Sequence, residues 1–452
     1  MLFRHPAHPG RSLRLATCMN LWPAEDPAGV QAGLAQVSLP LRDALRDLVP
    51  GGEYGDGFGV GLWLPAAAAF ALEADPFAAS ELREFLTEEG LDAFTFNAFP
   101  FGGFHQAGLK RGVFEPDWTN PERGFYTRAV AEFGLSIAET QNWRNAAVPR
   151  HLSISTHTGG HRATVVGDAA GEEADTLIAD FRTRCIASLQ AIANGLGRLG
   201  SSARTPVKLG LEPEPRSLAG DTRELSEIWS ELGQSKGADE VLGVCLDTCH
   251  AAVEFEHPGA ALERALGMAT EANGRGPTSG RPLAKVQFSS ALSLEKPSEN
   301  PDGVDSLLGL DEAVYLHQTT GRDGAGELRF AGDLPELKAL RDVGGEAWQQ
   351  WLDCDEWRCH FHVPVDLDTT AGLGTTRSFA DDLLTRVTAN PDAWGVPELH
   401  VEIETYTWAL PTLYKDSAGR EPSDRITATI RGIEAEYRHV IALLRELGWT
   451  PV

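Results

Sequence analysis

Long apolar runs and a charged leader are both missing from this chain of 452 residues. No window approaches the roughly 18 uncharged apolar residues of a membrane span, so no membrane insertion is predicted. The start, Met1-Leu-Phe-Arg-His-Pro, has no apolar stretch behind a basic segment and therefore does not resemble a signal peptide. These features predict a cytoplasmic protein.

Positive charge is also scarce. The chain has 39 basic and 65 acidic residues, a formal net charge of −26, and no run of Lys or Arg. Such a balance repels phosphate backbones, so we do not expect nucleic acid as a partner. The expected partner is a small-molecule substrate. The sequence leaves the oligomeric state open.

Cysteine is rare and scattered, which excludes a disulfide framework. The six cysteines are Cys18, Cys185, Cys245, Cys249, Cys354 and Cys359. The spacing Cys245-x3-Cys249-His250 would suit a zinc thiolate site, but no matching Cys or His pair lies nearby in the sequence. The strand pattern around Cys245 instead explains it as an inward-facing or core residue.

Strand-like and helix-like segments alternate along the chain, whose content of 42% apolar and 23% charged residues is typical of a globular protein. The strand-like runs are Leu13–Asn20, Gly57–Leu64, Ala93–Phe99, His151–His157, Val207–Glu212, Val241–Asp247, Ala284–Ser289, Trp357–Val363 and His400–Tyr406. This alternation predicts parallel pairing and an α/β fold, a (β/α)8 TIM barrel over residues 1–452 as one domain.

Nine runs are one more than a barrel needs, and we expect the Trp357–Val363 run to be the strand outside it. Segment 291–350 is the least regular part of the chain, with Pro and Gly clusters at 295–303 and 321–326. This irregularity predicts that the segment is an insertion that lies over the mouth of the barrel.

Acidic residues and histidine follow several strand-like runs. Glu212 ends one run, and Pro213 stops the strand directly after it because proline cannot continue a hydrogen-bonded ladder. Asp247 ends the next, and His250 lies one helical turn beyond it. Glu404 lies near the C-terminal end of the last run. The carboxyl ends of barrel strands meet at one rim, so these groups are candidate ligands of a divalent metal ion.

Further polar residues alternate along the strands and face one side. Glu402 would lie below Glu404, deeper in the same layer, and Glu214 would share the face of Glu212 or support it. His360 and His362 point to one side of their strand and are either two metal ligands or a hydrogen-bonded pair lining the pocket. Gln287 is either a weak ligand or a hydrogen-bonding partner of the substrate.

Several other residues are expected to contact the substrate. His105 and His157 follow strand-like runs and are predicted polar contacts. Four tryptophans near strand ends either stack on an aromatic ligand or pack in the core, and Trp408 is assigned to the substrate site. The four are Trp22, Trp63, Trp118 and Trp408.

The order Glu212, Asp247 with His250, Gln287 and Glu404 resembles the xylose-isomerase-like TIM barrels, which include sugar phosphate isomerases and epimerases, inosose dehydratases and endonuclease IV. The resemblance implies one divalent metal held by two Glu, one Asp and one His, with the two Glu exchanging a substrate proton. Gln287 stands where that His is expected. His360 or His362 would substitute, much as endonuclease IV uses an Asp-x-His pair after its seventh strand.

A second resemblance covers nearly the whole chain and is to the EboE-type metabolite-traffic proteins. It rests on Pro116–Arg123, Leu211–Pro215, Asp247–Glu256, Lys285–Leu292, His360–Pro364 and Glu402–Trp408 taken together. It implies a link to the movement or maturation of a secondary-metabolite precursor, without a defined reaction.

The leading hypothesis is a divalent-metal isomerase or epimerase that acts on a small hydroxylated or carbonyl-bearing metabolite. The ion, Zn, Mn or Mg, would be held by Glu212, Asp247 and Glu404, with His250 and one of His360 or His362 completing the set. Glu212 and Glu404 would move the proton. The alternatives are a metal-dependent phosphoester hydrolase and a non-catalytic metabolite-binding protein.

Overall fold

Eight parallel strands closed into a barrel form the centre of the protein. The computed structural model describes residues 1–103, 105, 107–232, 237–268, 280–410, 413 and 424–452. The barrel strands are β2 (Ser12–Cys18), β3 (Phe58–Trp63), β4 (Leu91–Asn97), β5 (Leu152–His157), β6 (Val207–Glu212), β7 (Leu242–Asp247), β8 (Leu283–Phe288) and β15 (Glu398–Ile403). The predicted (β/α)8 barrel is therefore confirmed.

The barrel closes by pairing its first strand with its last. β15 pairs in parallel with β2 from Glu398 opposite Ser12 to Ile403 opposite Thr17, and with β8 on its other side. Two short antiparallel strands, β1 (Leu2–Arg4) and β16 (Thr450–Pro451), extend the sheet beside the first half of β2. Nearly every barrel-strand residue is buried, as expected for a parallel sheet covered by helices.

Helices connect the strands and cover the outside of the barrel. They are α1 (Pro27–Gly33), α2 (Leu39–Ala44), α3 (Ala66–Ala74), α4 (Pro76–Glu88), α5 (Pro121–Thr140), α6 (Arg162–Val166), α7 (Glu172–Ala203), α8 (Thr222–Leu232), α9 (Ala238–Val241), α10 (Thr248–Val253), α11 (Pro258–Ala265), α12 (Pro301–Gly309), α13 (Leu334–Val343), α14 (Gly345–Leu352), α15 (Arg377–Ala389) and α16 (Arg425–Glu446). Side chains of Asp26, Asp75 and Asp424 cap the first turns of α1, α4 and α16. Among the described helices, none is both long and apolar enough to cross a bilayer.

A second, antiparallel sheet lies in the connection between β8 and β15. Its strands are β9 (Ser290–Glu295), β10 (Thr319–Arg322), β11 (Leu328–Ala331), β12 (Glu356–Val363), β13 (Thr369–Thr370) and β14 (Leu373–Thr375), in the order β11-β10-β12-β9-β14-β13. The Trp357–Val363 run is β12, so it lies outside the barrel as predicted. This sheet extends beyond residue 350. The division into one domain with an insertion at 291–350 stays a prediction.

Strand β12 is irregular at the point where it reaches the barrel mouth. Cys359 lies opposite Leu292 of β9, but Val363 lies opposite Ser290, so four steps along β12 match two along β9. Such a bulge bends a strand and redirects its side chains. The residues inside it include His360 and His362.

Candidate metal centre

Three carboxylates meet at the carboxyl ends of three barrel strands. Glu212 is the last residue of β6, Asp247 is the last of β7, and Glu404 directly follows β15. All three are buried, and one oxygen of each lies within 4.8 Å of the others. The structure thus brings together the acidic residues singled out in the sequence; their role as ligands stays a prediction.

Three histidines converge beside these carboxylates. The Nε2 atom of His250 lies 3.1 Å from that of His360 and 3.2 Å from that of His362. The Nε2 atoms of His360 and His362 are 2.9 Å apart. His250 comes from the first turn of α10, whereas the other two come from the bulge in β12.

The hydrogen bonds on the far side of each ring assign its tautomer. Nδ1 of His250 lies 2.9 Å from the Pro213 carbonyl oxygen, and Nδ1 of His362 lies 3.1 Å from the Glu404 carbonyl oxygen. Nδ1 of His360 lies 2.6 Å from Oε1 of Gln318, whose amide nitrogen donates to the Pro215 carbonyl. Since the oxygens of Pro213, Gln318 and Glu404 only accept, we assign the proton to each Nδ1 and a lone pair to each Nε2. The Ser289 hydroxyl, 3.1 Å from His362 Nδ1, then serves as a second acceptor.

This arrangement fits a metal ion. Two nitrogens bound at about 2.1 Å to one ion, at angles between 90° and 109°, are separated by about 3.0–3.4 Å. The Nε2 separations of 3.1 and 3.2 Å lie within this range, and that of 2.9 Å lies just below it. Burial lowers the pKa of His250 to about 3 and that of His362 to about 4, and it lowers the pKa of His360 well below its ordinary value. The rings are therefore neutral at physiological pH, as metal ligation requires.

The carboxylates also lack compensation for their charge. Burial, followed by repulsion among Glu404, Asp247 and Glu212, raises the pKa of Glu212 well above its ordinary value, and burial does the same for Glu404. Asp247 Oδ1 accepts from the backbone N–H of His250 at 2.9 Å and caps α10. Asp247 Oδ2 and Glu404 Oε2 are buried with no hydrogen-bond partner among the described residues. Buried carboxylate oxygens without a hydrogen-bond partner are suited to binding a cation.

Beneath these groups, the side chains of Lys285, Glu402 and Gln287 are paired within the barrel. Lys285 forms an ion pair with Glu402, which lies deeper than Glu404 as the alternation along the strand predicted. Gln287 accepts a hydrogen bond from Cys245 Sγ at 2.6 Å and donates to Asn97 Oδ1 at 3.2 Å. Both ends of the Gln287 amide are thus engaged.

A close approach of backbone and side chain explains one glycine here. A Cβ atom on Gly61 would overlap the Glu402 carboxylate, so only glycine leaves room for that side chain. The ion pair inside the barrel therefore depends on a glycine in the second barrel strand.

The remaining predicted site residues lie at varying distances from this centre. Glu214 lines the same cleft, and burial raises its pKa to about 8. His105 bonds the Asn20 carbonyl and the Tyr315 hydroxyl at 2.8 Å each but does not line the cleft. His157 is buried among Phe99 and Phe114, and Trp408 donates to Glu436 at 3.1 Å; neither lines the cleft.

The structure also shows where the tryptophan and cysteine candidates lie relative to the cleft. Of the four tryptophans near strand ends, none lines the cleft; Trp63 donates to the Pro100 carbonyl and Trp118 to the His157 carbonyl. Cys249 Sγ lies within 4.8 Å of ligand atoms of His360 and His362, whereas Cys245 belongs to no such group among the described residues.

Sequence reasoning missed residues that shape the centre. Asn20 donates to Glu404 Oε1 at 2.8 Å, and Asn97 lines the cleft between Gln287 and Glu402. Asn97 ends β4 and Asn20 lies two residues beyond the end of β2, so their positions near strand ends were a signal that the sequence offered. Gln318 orients His360, but it lies in the irregular segment before β10, where no periodic pattern marked it.

The centre lies in a cleft with two kinds of lining. The polar part comprises Asn20, Asn97, Lys110, Glu212, Glu214, His250, Gln287, His360, His362 and Glu404. The apolar part, here called the apolar wall, comprises Phe99, Pro100, Leu109, Val113, Val314, Tyr315, Leu316 and Tyr406. The cleft contains about 580 Å³ of space free of protein atoms, with open solvent at its mouth included.

Comparison with known proteins gives a family match and distant structural neighbours. The family described as xylose isomerase-like TIM barrel matches residues 54–296. A solved structure of IolI protein with a binding zinc atom is 12% identical, covers 56% of this chain and 69% of that one, and has a TM-score of 0.30. A class V chitinase from Pseudomonas fluorescens Pf-5 is 10% identical, covers 93% and 99%, and has a TM-score of 0.29. No curated protein matches the chain.

Proposed function

The chain belongs to the xylose isomerase-like TIM barrel family, and from this premise we propose that it is a divalent-metal-dependent isomerase or epimerase. The observation that carries the proposal is the convergence of three Nε2 lone pairs, with no N–H between them, beside three buried carboxylates. His250, His360 and His362 would hold the ion, with Asp247 next to them. Three imidazoles favour zinc over magnesium.

The carboxylates supply the proton chemistry in this proposal. When bound, the ion would polarise a hydroxyl or carbonyl oxygen of the substrate and acidify the adjacent C–H. Glu212 and Glu404 are on different strands of the same rim, so one takes the proton and the other returns it. Asn20 holds Glu404 through the hydrogen bond to Oε1, which orients its carboxylate toward the cleft.

Metal analysis and proton exchange together test this function. Elemental analysis of the purified protein is expected to find one ion per chain, and a His360→Asn/His362→Asn variant is expected to lose it. With hydroxyacetone as the probe in D2O, NMR should show deuterium entering the carbon next to the carbonyl. Glu212→Gln should abolish this exchange, whereas Glu139→Gln, an exposed control on α5, should not. Exchange that survives Glu212→Gln would contradict the proton role.

A second candidate function is metal-assisted hydrolysis of a small phosphoester. The observation in its favour is that the cleft offers two overlapping sets of ligand atoms, one from Glu212, Asp247 and Glu404 and one from Asp247, His250 and His362. Two ions at adjacent positions would suit attack on a phosphorus centre. Two or more ions per chain would favour this candidate, and a chain that takes up no ion would favour a non-catalytic metabolite-binding protein.

The cellular setting is also part of the proposal. We place the protein in the cytoplasm with a small-molecule substrate, and we retain the resemblance to EboE-type metabolite-traffic proteins as the reason to look for a secondary-metabolite precursor. The net charge of −26 supports a partner that is not a nucleic acid.

A further inference from the structure

The cleft joins a strongly polar floor to a wall made of carbon surface. The Tyr406 ring links the two, because its centroid lies 4.8 Å from that of His362 and 4.8 Å from that of Tyr315. Tyr406 and Tyr315 also belong to one buried apolar cluster with Trp63, Val113 and Leu316. A molecule that reaches the three histidines would therefore lie with its remainder against the apolar wall.

Backbone hydrogen bonds connect the two loops that form this wall. Gly108 N–H donates to the Ala313 carbonyl at 2.6 Å, and Lys110 N–H donates to the Val314 carbonyl at 3.1 Å. The wall is thus held in place by hydrogen bonds within the protein, as expected of a largely preformed apolar binding surface.

A phosphate group would find few partners among the described residues that line this cleft. Lys110 is the only Lys or Arg among the described lining residues, and its Nζ lies 2.9 Å from Asp333 Oδ2 and 3.8 Å from Asp311 Oδ1. The backbone N–H groups of Val314 and Tyr315, which together would cradle an anion, already donate to the Glu312 carboxylate at 2.6 and 2.7 Å.

A sugar ring would be poorly accommodated as well. Each hydroxyl taken from water needs a new hydrogen-bond partner, and the loss of one is costly. The wall offers mainly carbon, and the Tyr315 hydroxyl is bonded to His105 Nδ1 at 2.8 Å. Among the residues that the structure describes, a set of polar groups faces only the end of a ligand that lies on the floor of the cleft.

We propose that the substrate is a non-phosphorylated compound with an aromatic ring or similar apolar body and one oxygen-bearing end, a hydroxyl next to a carbonyl. The oxygen-bearing end faces the histidines and carboxylates, and the ring lies against Leu109, Val113, Leu316 and Tyr406. This inference rests on the proposed metal-dependent function and narrows its substrate class.

Three probes with the zinc-loaded protein test the substrate class. 2-Hydroxyacetophenone and hydroxyacetone share the hydroxy-ketone end but differ in the phenyl ring, and D-fructose 6-phosphate adds hydroxyls and a phosphate. Isothermal titration should give a Kd for 2-hydroxyacetophenone at least about tenfold below that for hydroxyacetone, because burying the ring removes apolar surface from water. D-Fructose 6-phosphate should bind more weakly than 2-hydroxyacetophenone.

Variants of the wall separate this inference from the proposed function. Leu109→Ala should reduce the preference for the phenyl ring several-fold and leave the zinc content unchanged, whereas Leu177→Ala, a half-exposed leucine on α7, should change neither. Equal binding of the two hydroxy-ketones, or tighter binding of D-fructose 6-phosphate, by a protein that holds zinc would overturn the substrate class alone. A protein that takes up no metal would overturn both.

Discussion

His360 and His362 direct their Nε2 atoms to within 2.9 Å of each other, although they are two residues apart on β12. Residues at this spacing on a regular strand are separated by about 6.6 Å along the chain direction. The bulge in β12 and the two Nδ1 acceptors, Gln318 and the Glu404 carbonyl, turn the rings toward one point. A strand outside the barrel thus supplies two of the three imidazoles in the centre.

Removing the acceptor that orients His360 should weaken metal binding. In Gln318→Met the bond from His360 Nδ1 is lost, so the ring can turn and the tautomer is no longer fixed. We expect zinc affinity to fall by about 10–100-fold, the usual effect of losing such a supporting group. Competition with a chromophoric chelator measures it. Gln349→Met, which loses only a bond to Asp353 on the surface, is the matched control, and equal affinity in both variants would refute the role of Gln318.

Metal uptake should release protons and strengthen as the pH rises. Because burial and repulsion from neighbouring carboxylates raise the pKa values of Glu212 and Glu404 well above the ordinary range, these carboxyl groups keep their protons to a higher pH in the metal-free protein. A cation favours the charged carboxylates and displaces those protons. Titration calorimetry in buffers of different ionisation enthalpy counts the protons released. A heat that does not depend on the buffer would contradict this assignment.

Removing only one partner of the Lys285–Glu402 ion pair should strongly lower the free energy of unfolding. Lys285→Met leaves the fully buried Glu402 carboxylate without its cation, and we expect the free energy of unfolding to fall by about 3–5 kcal/mol. The double variant Lys285→Met/Glu402→Leu removes both charges and should recover much of that loss. Urea unfolding compares the three proteins, and a double variant no more stable than the single one would count against the argument.

The opposite end of the barrel should make the protein sensitive to acid. Burial alone would raise the pKa of Glu398, but the Arg14 guanidinium at 2.8 Å holds it below its ordinary value. The stabilisation that ionised Glu398 provides is therefore complete above the pKa of a glutamate in the unfolded chain, about 4.3, and is lost as the pH falls below that value.

The Glu398→Gln variant measures this contribution. It should be less stable than the native chain by about 3–5 kcal/mol at pH 7, and the difference should shrink as the pH falls below about 4. Asp392→Asn, which breaks the exposed Arg11–Asp392 pair, should change stability by less than about 1 kcal/mol at any pH. A difference for Glu398→Gln that stays constant down to pH 3 would exclude this cause.

The sequence by itself determined the barrel and the rim that carries Glu212, Asp247 and Glu404. Apolar runs separated by helical patterns allow parallel strands to pair only with crossover helices between them, and all parallel strands point their carboxyl ends the same way. The position of each acidic residue at a strand end was therefore enough to bring three distant carboxylates together. The same pattern gave nine strand-like runs, one more than a barrel holds, and the Trp357–Val363 run, which we expected to be the extra one, lies in the second sheet.

Only the tertiary structure decided how the histidines face one another. Periodicity places His360 and His362 on one face of a strand, but it does not specify the bulge that turns them or the acceptors that fix their tautomers. The acceptor is Gln318 for His360 and the Glu404 carbonyl for His362, and the Pro213 carbonyl has the same role for His250. Each is brought in by another part of the fold. The apolar wall was equally invisible, because loops without periodicity form it, and hydrogen bonds between residues some 200 positions apart hold it in place.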